Sequence, residues 1–158
     1  MPRTIITIFL PTMAGVWVGK KASNAWKAMV VGTLFVAVPM AVMGFTTPST
    51  SIIIYFVALT ITGIAESYRS VAITPSAQAT LQPADMGVGT SLVNFVNSLA
   101  AAVFGAAYNL STAADPTNVA YIQNGVNSVF RLAAIVAVIG LVLVIFVVRP
   151  KMTAKKAE

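Results

Sequence analysis

The chain has 158 residues, 58% of them hydrophobic and 9% charged, with ten Lys and Arg against four Asp and Glu and a formal net charge of +6. A soluble domain is about a quarter charged, so this composition leaves too little polar surface for a globule in water, and lipid is the expected solvent. The absence of cysteine and histidine excludes disulfides, thiolate metal sites and imidazole proton relays.

Residues 4–19, 28–65, 86–114 and 132–148 carry no ionisable side chain other than tyrosine. Runs of about 17–25 apolar residues match the length a helix needs to cross a hydrocarbon core of about 30 Å. Met1-Pro-Arg3 leads into the first run with no small-residue cleavage site, so no cleaved signal is expected. The expected fold is an all-α membrane protein of five transmembrane helices. The first covers about 4–19 and contains Pro11. The second, about 28–45, contains Pro39, which is expected to kink it. Thr46-Thr-Pro-Ser-Thr-Ser51 makes the turn into the third, about 52–74. Pro75 and Pro83 are expected to bracket a short loop, because the residue before a proline avoids helix. The fourth helix covers about 86–108 and the fifth about 128–148, and 149–158 forms a basic tail.

Lys20, Lys21 and Lys27 lie in the first loop, and Arg149, Lys151, Lys155 and Lys156 in the tail. Five spans put those two segments on one side, and loops 46–51 and 109–127 on the other side hold no lysine or arginine. The positive-inside bias then makes the C-terminus cytoplasmic and the N-terminus external, with Arg3 dissenting. Trp17 and Trp26 bracket the lysines where amphipathic rings favour the interface. Cations confined to the ends of apolar runs do not form a nucleic-acid face. An odd number of spans with an external start fits a chain preceded by another span.

Two charges interrupt the third span. Glu66 and Arg69 are i, i+3 neighbours, with Thr62, Ser70 and Thr74 on the same side. At about 1.5 Å per residue from Ile52 they lie about 21 and 25 Å along the helix, in the cytoplasmic half. One reading is a static pair with Arg69 snorkelling to the headgroups. The other is a proton or ion-coupling site, since carboxylates in membrane spans mark such pathways and a pair that opens and closes ties the proton to movement. Asp85 and Asp115 fall in loops, so Glu66 is the acid deep in a span. In the fourth helix Gly87, Ser91, Ser98, Ala102 and Gly105 form a small-residue series suited to helix packing. Asn94 and Asn97 share a face, and either bond a neighbouring helix or line a cavity for substrate and water. Asn109-Leu-Ser111 matches a glycosylation acceptor. No phosphate loop, catalytic triad or metal cluster is present, so neither an enzyme nor a cofactor is expected.

Residues 63–108, GIAESYRSVAITPSAQATLQPADMGVGTSLVNFVNSLAAAVFGAAY, resemble the late spans of major facilitator superfamily transporters, most of all the 14-span drug/proton antiporters. The resemblance lies in Pro75, loop 76–85, Gly87-Val-Gly-Thr-Ser91, Asn94-Phe95 and Leu99. Asn97 stands where that family has arginine, and Ala100-Ala101 where it has two glycines. Gly15-Val-Trp-Val-Gly19-Lys20-Lys21 resembles the family's cytoplasmic loop motif, with Ala22, Ser23 and Asn24 replacing its later glycine and basic pair. Tyr121-Ile-Gln-Asn-Gly125 through Phe130 resembles the approach to the final span. The resemblance implies a partial C-terminal bundle, residues 1–148, of a proton-coupled exporter of drugs or other small molecules in a bacterial plasma membrane. Its partners would be the bilayer, the preceding spans or another membrane subunit, a small-molecule substrate and the proton. A small standalone membrane protein that assembles with partner chains, and an inactive transporter remnant, stay open beside it.

Overall fold

Small residues line the inside of this molecule and large apolar ones its outside. The computed structural model describes residues 2–21, 23–78 and 81–154, without the side chains of residues 2, 3, 5, 23, 74, 77, 78, 83 and 152–154. Lys155, Lys156 and Ala22 lie outside the described residues. Ala28, Ala58, Ala65 and Ala72 are buried, whereas Phe9, Phe45, Leu110 and Phe146 are 68–80% exposed. Water would drive such rings inward. In hydrocarbon, helices associate instead by close approach of small side chains.

The described residues contain no strand. They form α1 (Pro2–Gly19), α2 (Ser23–Met43), α3 (Ile52–Gln78), α4 (Met86–Thr112), α5 (Val119–Leu143) and α6 (Arg149–Ala154). Asn24–Met43, Ile52–Ile73, Met86–Thr112 and Val119–Lys151 are long and apolar enough to cross a membrane, and Ile6–Gly19 is a shorter apolar stretch. The fold is all-helical, and its helices suit a multi-pass membrane protein.

Several boundaries differ from expectation: α2 starts at Ser23 and not near 28, and α4 runs on to Thr112 and not 108. α3 does not stop before Pro75 but carries it inside the helix to Gln78. α5 starts at Val119 rather than near 128, because the Asn118 side chain accepts the Ala120 N–H at 2.9 Å and caps the helix. α5 then continues through a wider π turn, Val144–Val148, into α6. Arg149 N–H bonds Val144 O, five residues back. Pro150 explains that turn: it has no N–H to give and its ring crowds the carbonyl four residues earlier, so the ladder loosens just ahead of it.

The helices lie in an open row, α1, α3, α2, α5, α4, rather than a closed bundle. α3 packs between α1 and α2, α5 packs on the other side of α2, and α4 packs on α5. α1 also touches α2, and α3 touches α4, but among the described residues α1 touches neither α4 nor α5, and α3 does not touch α5. Gly15 near the end of α1 approaches Val71 near the end of α3, so those two helices run parallel, whereas Gly44 meets Arg131 and Thr33 meets Gly140, so α2 and α5 run antiparallel. The accessible surface is 10036 Å². A compact 16.5 kDa monomer exposes about 7,500 Å² by the usual scaling. The excess is the surface a row leaves open.

The α4–α5 loop has its own pH-sensitive turn. Asp115 Oδ1 accepts the Thr117 hydroxyl at 2.8 Å and the Thr117 N–H at 3.0 Å. The Thr117 hydroxyl first, then its N–H, hold the Asp115 carboxyl below its ordinary value of 3.8. A depressed folded value stabilises the turn above the ordinary carboxylate range and loses that effect as pH falls through the lowered value. The Thr117 amide is therefore expected to stay protected from hydrogen exchange between about pH 7 and 5 and to lose protection below about pH 4.

Candidate functional site

In α3, Arg69 Nη1 lies 3.5 Å from Glu66 Oε2, and both side chains are about half exposed. The stem of Arg69 is pressed against α2, where Gly32 makes room. A Cβ on Gly32 would stand 2.7 Å from Arg69 Cγ and 3.1 Å from Ala65 O. Gly32→Ala sets about 1 kcal/mol of helix propensity against an overpacking cost of about 1–3 kcal/mol. It is expected to be near neutral or mildly destabilising in thermal unfolding, and Gly32→Leu, which forces the helices apart, to lower the midpoint strongly.

Thr62 and Ser70 do not join this pair. The Thr62 hydroxyl is buried and donates to Leu59 O at 2.8 Å, and exposed Ser70 donates to Ser67 O at 3.1 Å. Their protons serve their own helix. Asn94 and Asn97 lie on α4, exposed, and no hydrogen bond or ion pair connects them with Glu66 or Arg69. Two open apolar clefts lie elsewhere. One, of about 420 Å³, runs between Phe104, Gly105 and Tyr108 of α4 and Val126, Val129 and Phe130 of α5. The other, of about 480 Å³, is formed by Thr50, Ile52, Tyr55, Phe56 and Leu59. Among the described residues no group of His, Cys, Asp and Glu could hold a metal.

The first cleft shows how α4 sits. Tyr108 and Thr112 press onto α5 at Gly125, where an added Cβ would meet Thr112 Cγ2 at 2.7 Å. Helical periodicity puts Asn94, Asn97, Ala101 and Gly105 on the same face as Tyr108 and Thr112. Yet Gly87, Ser91, Asn94, Asn97, Ser98, Ala102 and Gly105 are all exposed. Cβ atoms on Gly87 and Gly105 would meet nothing within 4 Å. α4 therefore diverges from α5 towards its N-terminus, and among the described residues no helix covers its small, amide-bearing face.

The densest polar site was not singled out from the sequence. Gln123, Asn127 and Arg131 recur every four residues on α5 and close over the C-terminal end of α2. Asn127 Nδ2 donates to Thr46 O at 2.8 Å, and Gln123 Nε2 donates to Asn127 Oδ1 at 3.0 Å and to Thr46 Oγ1 at 3.1 Å. The Thr46 hydroxyl lies 3.0 Å from Met43 O and 3.1 Å from Asn127 Oδ1 and can donate to either. Arg131 Nε donates to Gly44 O at 2.6 Å, with its guanidinium 4.8 Å from the Phe45 ring centroid. Gly44 lets α5 approach: an added Cβ would meet Arg131 N at 3.1 Å. A helix end leaves carbonyls without intrahelical partners and carries partial negative charge, so these amides and this cation are what it calls for. The signal was present as a polar four-residue repeat entering an apolar span.

At the opposite end, Asn24 Nδ2 donates to Trp17 O at 2.7 Å and ties α1 to α2. Trp17 packs edge-on against Tyr68, their centroids 6.1 Å apart. Lys20 and Lys21 are exposed beyond α1, and Gly15 and Gly19 meet no tight neighbour. No family model matches the chain, and no curated protein or solved structure matches it.

Proposed function

We propose that the chain is the C-terminal five-span part of a proton-coupled transporter of the major facilitator type, exporting drugs or other small molecules across a bacterial plasma membrane. The observation that carries this reading is the uncovered face of α4. Asn94 and Asn97 lie on a face of an apolar helix that no described helix covers. An amide exposed to hydrocarbon without a partner is unfavourable by roughly 2–7 kcal/mol, so that face calls for further spans or a wet cavity. The motifs of residues 63–108 supply the family. Glu66 is the proton-coupling residue in this reading and Arg69 its switchable partner. The basic end, with Lys20, Lys21, Lys27, Arg149 and Lys151, faces the cytoplasm, and the Gln123–Asn127–Arg131 clamp faces outward.

The same open face suits a standalone chain that assembles with a different membrane subunit. One experiment separates the two. Cells express the chain, the spans encoded immediately upstream, or both, and proton-dependent efflux of a fluorescent dye is measured. Efflux that requires both pieces and stops with an uncoupler is the expected result. Equal efflux from the upstream piece alone would contradict the proposal.

A further inference from the structure

Arg131 sits where α5 changes character. Gln123, Asn124, Asn127 and Ser128 precede it, and residues 132–148 hold no polar side chain. Two helices fix the depth of that point. Along α5 and its continuation Arg149 follows Arg131 by 18 positions, and along α2 Gly44 follows Trp26 by 18. Arg149 Cζ lies 5.1 Å from the Trp26 ring centroid, and Arg131 Nε bonds Gly44 O at 2.6 Å. At about 1.5 Å per residue these pairs mark two levels about 27 Å apart, close to a hydrocarbon core of about 30 Å. Arg131 therefore stands at the headgroup level of the end opposite Lys20 and Lys21. Its Nε is committed to Gly44 O, and the Phe45 ring centroid lies 4.8 Å from Cζ, which holds the guanidinium in place. Among the described residues its Nη groups have no acceptor and it makes no ion pair. Asp115, the acid in the loops of this end, accepts Thr117 instead. A planar cation with N–H groups to spare suits an anion with paired oxygens, and phosphate matches that fork. The surface beside it identifies the carrier. Phe45 is 73% exposed, and exposed Val42 and Val38 continue from it along α2. Exposed Ile135 and Ile139 continue from Arg131 at four-residue steps along α5. A free phosphate has no use for such an apolar track, whereas the acyl chains of a phospholipid do.

We propose that Arg131 and Phe45 form a headgroup site for a membrane phospholipid. The Nη groups donate to its phosphodiester oxygens, and an acyl chain follows the track that α2 and α5 expose. This site goes beyond the transport reading and stands whether or not the chain transports. It needs only that the chain lie in a membrane with this end at the headgroups.

The full chain, with its arginines carrying carbon-13 at Cζ, is reconstituted into phosphatidylcholine bilayers, and recoupling to phosphorus-31 is measured by solid-state NMR. The signal that Arg131→Lys removes belongs to Arg131. A guanidinium hydrogen-bonded to a phosphodiester puts Cζ about 4 Å from phosphorus, so that difference signal is expected to lose at least half its intensity on recoupling. Should Arg131→Lys fail to fold, Arg3→Lys with Arg69→Lys and Arg149→Lys leaves Arg131 as the lone arginine and gives the same reading. In galactolipid bilayers of the same acyl composition, with inorganic phosphate in the buffer, the loss is expected to disappear. An Arg131 signal without loss in phosphatidylcholine marks a hydrated guanidinium and would overturn the site. An equal loss in galactolipid with inorganic phosphate would assign the fork to a free anion and also overturn the lipid site.

Discussion

Replacing Asn127 with leucine is expected to lower the thermal unfolding midpoint of the detergent-solubilised chain by about 3–10 °C. Asn127 is 5% exposed and Thr46 5% exposed, so neither can turn to solvent when the other is lost. The substitution removes the donor to Thr46 O and the acceptor shared by Gln123 and the Thr46 hydroxyl. Thr46 O keeps Gln123 at 3.3 Å and the Thr46 hydroxyl keeps Met43 O, so the loss is that of two hydrogen bonds at about 0.5–1.5 kcal/mol each, and for a chain of this size each kcal/mol moves the midpoint by about 2–4 °C. The clamp joins α2 to α5, and α4 is held chiefly by α5. Loosening it therefore releases two helices of the row from the other three. Asn124→Ala, at an exposed position on the same helix, is the control and should move the midpoint by no more than about 1 °C. Arg131→Lys should fall between them, since a lysine keeps the charge but loses the planar donor set over Phe45. Circular dichroism melting curves for the three variants decide this, and an Asn127→Leu midpoint equal to the control would remove the clamp from the account.

If the chain belongs to the proposed transporter, Glu66→Gln is expected to reduce proton-driven efflux at least tenfold while leaving folding intact. The amide keeps the size and hydrogen-bonding reach of the side chain but cannot take up and release a proton. The structure makes this separable from a purely architectural role. The pair is half exposed and its charges are 3.5 Å apart, a geometry worth at most about 1 kcal/mol when solvated. Arg69, in contrast, has its stem packed on Gly32, so Arg69→Ala should lower stability and transport together. A static pair gives the opposite pattern for Glu66→Gln, a small loss of stability with efflux unchanged. Efflux against an imposed pH gradient, measured beside a melting curve, distinguishes the two outcomes.

The spans were legible because a hydrocarbon core imposes one length on every crossing helix, and the uncharged runs state that length directly. The Glu66–Arg69 pair was legible for an equally local reason: side chains three apart on a helix meet whatever surrounds them. What was not legible depended on contacts between helices. Gln123 and Asn127 read as loop residues before an apolar span, yet they are polar because they complete the carbonyl end of α2. Arg131 was passed over at the mouth of that span for the same reason. The role of Gly32 is set by the α2–α3 register, which no local pattern encodes. Pro75 read as a stop, but the helix carries it on to Gln78. The small face of α4 could be seen in the sequence, whereas its lack of any covering helix could be seen only in the fold.

In the proposed transporter the face of α4 bearing Asn94 and Asn97 is a contact face of a larger helical assembly. The chain has no cysteine, so a single spin label at Asn97→Cys reports on that face alone. Its collision rate with oxygen, which concentrates in lipid, is measured in membranes containing the chain with and without the preceding spans that the proposal calls for. The account predicts high oxygen accessibility for the chain alone and a drop of at least half when those spans are present, with a label at Leu92→Cys unchanged. An oxygen accessibility at position 97 that is the same in both membranes would contradict it.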